Sequence, residues 1–99
     1  MGDVTDQASL IADLEQAVEM SSHYSGGWSD HHRSAQEFHL DLVKKVEMLK
    51  NGDRSVLGEL SVWFAPSYDW DDFVGEEGMA LANRISEKLR MELIKDGLL

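Results

Sequence analysis

Five carboxylates stand within nine positions: Asp69, Asp71, Asp72, Glu76 and Glu77. Trp63, Phe64, Tyr68, Trp70 and Phe73 lie among them or just before them, and no Lys, Arg or His occurs between Arg54 and Arg84. Carboxylates at this density can hold a metal, move protons, or present a negative field. Calcium takes about six to eight oxygen ligands, and its loop needs Asp-x-Asp-x-Asp-Gly spacing. Asp69 and Asp71 fit the first two positions, but Phe73 falls where a third ligand belongs and Gly75 comes one place late. Glycoside hydrolysis needs two carboxylates facing across a cleft, and a chain of 99 residues offers little cleft. The negative field remains. Aromatic rings beside acids suit a recognition patch for something basic, since Trp and Tyr anchor many interfaces. The same rings also suit a core plug, with Trp63, Phe64, Trp70 and Phe73 inside and the acids in water. The residue types alone leave both readings open.

The other residues able to do chemistry are His23, His31, His32 and His39. His32 and His39 are seven apart, roughly one helical face. Zinc wants three or four ligands with a firm second shell. Asp30 and Glu37 are near, but His32 faces Gln36 at the next turn, which is no strong ligand. Histidines exposed near a helix start are the expectation, and a metal-binding protein using His and Asp/Glu is kept as an alternative. No Gly-x-Ser-x-Gly nucleophile motif is present, and Ser25-Gly26-Gly27 lacks the Lys and the preceding strand of a phosphate loop. No catalytic residue and no cofactor is expected.

The formal charge is −10, from 19 acids against 9 Lys and Arg. A protein that binds a nucleic-acid backbone needs cations to displace counterions, so nucleic acid is an unsuitable partner. An anionic membrane surface is disfavoured for the same reason, and no apolar run approaches the roughly 18 residues that span a bilayer. A basic protein fits better. The absence of cysteine excludes disulfides and thiolate sites, which favours the cytoplasm. The acidic N-terminus, Met1 to Asp6, does not read as a signal peptide.

These residues must be positioned by amphipathic helices. Leu10, Ile11, Leu14, Ala17 and Val18 recur at helical spacing after a cap at Thr5 or Asp6. The helix should run to about Met20, after a frayed start over residues 1–4. It carries no base, because the first Lys or Arg of the chain is Arg33. Gly26-Gly27 breaks the chain. Ser29 or Asp30 should cap a second helix with Ala35, Phe38, Leu42, Val46 and Leu49 inside. Asn51-Gly52-Asp53 stops it and starts a third, which carries Val56, Leu57, Leu60, Trp63 and Phe64. Gly58 there suggests close packing. Pro66 ends the third helix, and Tyr68 to Gly75 reads as a compact connector with one helical turn. A last helix from about Glu76 to Lys95 carries Leu81, Ala82, Ile85, Leu89 and Leu93. Residues 1–99 therefore read as one all-α domain, a small antiparallel four-helix bundle.

The run from Val62 to Gly75, Val-Trp-Phe-Ala-Pro-Ser-Tyr-Asp-Trp-Asp-Asp-Phe-Val-Gly, continuing to Leu81-Ala82-Asn83, resembles a motif of a family of small uncharacterised bacterial proteins. Their shared core is about Phe-Ala-Pro-Thr/Ser-x-x-Trp-Asp-Asp-Phe. The resemblance covers roughly a quarter of the chain and implies no activity. Small acidic bacterial proteins often serve as immunity proteins that block a cognate toxin, an analogy of size and charge. The expectation is a small protein-binding domain that meets a basic partner, with a cognate toxin as its sharpest form. Asp69, Trp70, Asp71, Asp72 and Glu76 are the expected contacts, with Tyr24 and Trp28 of the Gly-Gly loop as a second patch. A helical homodimer whose acids only confer solubility is the remaining alternative; the sequence sets no oligomeric state.

Overall fold

The apolar stripes form helices where their spacing demands them. A computed structural model describes residues 2–29, 32–65 and 68–98, with side chains from residue 7 onward. The described residues form five α-helices, α1 (Gly2–Ser21), α2 (Ala35–Lys50), α3 (Leu57–Trp63), α4 (Asp69–Phe73) and α5 (Met79–Lys95), and two 3-10 turns, Arg54–Val56 and Gly75–Gly78, which lead into α3 and α5. Among the described residues there is no strand, and no helix is long and apolar enough to cross a membrane.

Each stripe is buried. Leu10, Leu14 and Ala17 of α1 meet Phe38, Leu42, Val46 and Leu49 of α2, Leu57, Leu60 and Trp63 of α3, and Leu81, Ile85, Leu89 and Leu93 of α5 in one core. Side-chain ties fix the helix directions. Glu15 pairs with Lys50 at 3.3 Å while Ser21 meets His39 at 2.9 Å, so α1 and α2 run antiparallel. Lys88 donates to Ser9 and Asp13 while Arg84 donates to Gln16, so α1 and α5 do too. Arg54 closes the far end by bonding Gln7, Glu92 and Asp96.

The local signals shift in several places. Helix α1 already begins at Gly2, ahead of the expected cap. The side chains of Thr5 and Asp6 lie outside the described residues, as do Asp30, His31 and Pro66. The cap of α2 is Ser34, whose hydroxyl accepts from the Glu37 amide at 3.1 Å. Ser29 is instead buried. Gly52 takes φ 95°, the left-handed value its turn requires, and Asp53 accepts from the Ser55 amide. Gly58 is exposed, and a Cβ there would meet nothing within 4 Å, contrary to close packing. The tight position is Gly78, where a Cβ would lie 2.6 Å from the Trp70 ring and 2.7 Å from Val74. The connector winds into α4 and the second 3-10 turn, so Glu76 and Glu77 precede α5 and do not belong to it.

Candidate functional site

Two stretches far apart in sequence form one surface. The chain leaves α1 and turns through Gly26 and Gly27, at φ 73° and 77°. These left-handed values suit glycine, which has no Cβ to clash. Two hydrogen bonds pin the turn to α2. The Ala35 amide donates to the Gly26 carbonyl at 2.7 Å, and the Gly26 amide donates to Gln36 Oε1 at 2.8 Å. Gly27 lies against the Phe73 ring, which a Cβ there would touch at 3.4 Å. The loop is therefore seated on α4.

Its side chains reach the connector acids. Ser29 donates its hydroxyl proton to Asp72 Oδ2 at 2.6 Å. Tyr24 donates its phenol proton to Glu77 Oε2 at 2.7 Å. That hydrogen bond, helped by desolvation and by the charge of Glu77, pushes the Tyr24 phenol above the usual tyrosine range. Between these two ties Trp28 stands 71 % exposed. Asp72, Glu76 and Glu77 are exposed, Asp71 is half-buried, the connector carries no base, and His23 and Arg33 stand exposed at the two ends of the loop. The loop and the connector thus form an acidic face with a tryptophan on it.

Asp69 and Trp70, expected among the contacts, belong beneath this face and not on it. Both are fully buried. The Trp70 indole N–H donates to the Gly78 carbonyl at 3.0 Å, and its ring lies against Phe64 and Phe38. A five-residue helix shows alternate sides to core and solvent, which is why neighbouring acids part company. Asp69 points inward to His32, whose Nδ1 lies 2.6 Å from Asp69 Oδ2. His32 Nε2 lies 3.0 Å from Asp41 Oδ2. The imidazole stands edge-on to Phe38 and Trp63, with centroids 5.2 and 4.8 Å away.

The expectation of an exposed histidine at this helix start fails for His32, which is 4 % exposed. No local signal marks it: its partner Asp69 is 37 residues away, and burial is what makes the pairing necessary. His39 is spent on Ser21, and exposed His23 lies 3.7 Å from Glu19. Among the described residues no three His, Cys, Asp or Glu side chains are placed to hold a metal ion. Every described buried side-chain nitrogen and oxygen has a partner. An open groove of about 260 Å³ lies over His32, lined also by Asp41, Glu59, Val62 and Trp63.

The face offers an exposed aromatic ring, hydrogen-bonded acids and an apolar floor, with His32, Asp41 and Asp69 engaged with one another beneath it. No family model matches the chain, and no curated protein or solved structure is similar to it.

Proposed function

We propose that this chain is a small protein-binding module that captures a basic protein through the face formed by the Gly26-Gly27 loop and the Asp71–Glu77 connector. One observation carries the reading: Trp28 is exposed on a loop that hydrogen bonds hold in place, beside carboxylates contributed from more than forty residues away. An exposed tryptophan keeps apolar surface in water, and a partner pocket removes it at low entropic cost because the loop is already ordered. The carboxylates supply the long-range field that guides a cationic partner into register. Neutralisation of a basic toxin in the cytoplasm is the form that size, charge and lack of cysteine favour.

The test is kinetic, on the basic partner recovered with the purified protein. Asp72→Lys and Glu76→Lys should slow association and make it less sensitive to salt. Trp28→Ala should weaken binding by about 2 kcal/mol or more, mainly through faster dissociation, with little change in melting. If all three variants associate and dissociate like the parent, this face is not the contact surface.

A further inference from the structure

The geometry points to His32 as an imidazolium that positions the binding loop, held between Asp69 of α4 and Asp41 of α2. Its meaning for binding rests on the proposed function, while the experiment below reads the free protein. Both ring nitrogens face carboxylate oxygens, at 2.6 and 3.0 Å. An ionised carboxylate only accepts, so two such bonds require a proton on each nitrogen. Neutral imidazole carries one.

The two carboxylates reach the ring from different helices. Asp69 is fully buried, and a buried carboxylate is tolerated when a cation and hydrogen bonds meet it. The other faces of the ring are the edges of Phe38 and Trp63. Glu59 of α3 lines the groove over the ring and pairs with Lys45 of α2 at 3.3 Å.

The same residue fixes the loop. The His32 backbone carbonyl accepts from the Ser29 amide at 3.0 Å, and Ser29 in turn donates to Asp72. Three residues beyond His32, the Ala35 amide holds Gly26. Locking the imidazole between two helices therefore sets the backbone on which Trp28 and Tyr24 stand. The ring cannot swing without breaking a charge-assisted bond at each nitrogen.

Nitrogen-15 NMR of the histidine rings at neutral pH reads the protonation directly. Both His32 nitrogens should carry a hydrogen, with the one facing Asp69 exchanging slowly with solvent. Hydrogen exchange then reads the positioning. Asp41→Ala removes the partially exposed acceptor and leaves the buried pair intact. Exchange at the Ser29 and Ala35 amides should quicken by about tenfold or more, while amides of α1 and α5 stay within about twofold. Asp41→Asn keeps an acceptor and should recover part of the protection. A singly protonated His32 ring overturns the inference. So does Asp41→Ala exchange that is unchanged at the loop, or accelerated equally throughout the bundle. If the ring and loop behave as stated but Trp28→Ala leaves partner binding intact, His32 still positions the loop and the contact surface lies elsewhere.

Discussion

Tyr24, Trp28 and Asp69 show how the same residue types diverge once placed. The Tyr24 phenol gives its proton to Glu77, which raises it above the ordinary value of about 10. A group raised by folding stabilises fully below its unfolded value and ceases to as pH climbs through the folded one. The Tyr24–Glu77 tie should therefore hold at neutral pH and be lost as pH climbs through the raised phenol value. A tyrosinate absorbance titration of the parent minus Tyr24→Phe should show the Tyr24 component above about 10; a component below that range contradicts the bond. Trp28 offers a second reading of the face. Trp63 and Trp70 are 2 % and 0 % exposed, so collisional quenching reports Trp28. Relative to a free tryptophan derivative, caesium should quench it more and iodide less, because nearby carboxylates attract the cation and repel the anion. Both departures should shrink in about 0.1 M salt as screening sets in. Equal relative quenching by the two ions would mean no acidic field at Trp28.

At the scale of elements, two glycines make opposite predictions. Gly58 lies in α3 with open space where a Cβ would stand. Gly58→Ala should stabilise by about 0.5–1 kcal/mol, because alanine loses less backbone entropy. Gly78 sits where the second 3-10 turn passes under the Trp70 ring and accepts its indole hydrogen bond. Gly78→Ala should destabilise by about 1–3 kcal/mol, since neither the ring nor Val74 can yield without disturbing the core. Denaturant midpoints of the two variants check both signs. Leu60 of α3 and Leu89 of α5 are fully buried in the shared core. Leu→Ala at either should cost about 2–5 kcal/mol. An unchanged midpoint for both would contradict the packing of α3 on α5.

For the molecule as a whole, charge and size set the behaviour. A net −10 sits on a body with a radius of gyration of 12.7 Å. At about 0.01 M salt the screening length is roughly 30 Å, so every carboxylate feels the others; at about 0.1 M it is roughly 10 Å. The folded state concentrates this charge, and its cross-helix pairs, such as Arg84–Asp13 and Lys50–Glu15, are partly exposed and contribute little. Raising salt across that interval should therefore raise the melting midpoint. A falling midpoint would show that ion pairs outweigh the general repulsion. On the proposed reading, association with a basic partner relieves the same unspent charge.

The sequence by itself determined the helices. Phe38, Leu42, Val46 and Leu49 repeat with the helical period, and burying that stripe is the only way to remove it from water. The core residues Leu14, Leu42, Leu60, Trp63, Ile85 and Leu89 were legible for the same reason, and all are buried. The breaks at Gly26-Gly27 and at Asn51-Gly52-Asp53 followed from backbone sterics, which are local. What only the tertiary structure decided concerns side chains whose partners are distant. Asp69, Asp71 and Asp72 are alike in sequence, yet Asp69 turns inward because His32 waits there, and Asp72 meets Ser29 from across the chain. Trp70 became core and Trp28 surface, although both are tryptophans beside small or acidic residues. Periodicity fixes which face of a long helix is apolar. It has no hold on a five-residue helix or a glycine loop, where packing against remote elements decides which side meets water.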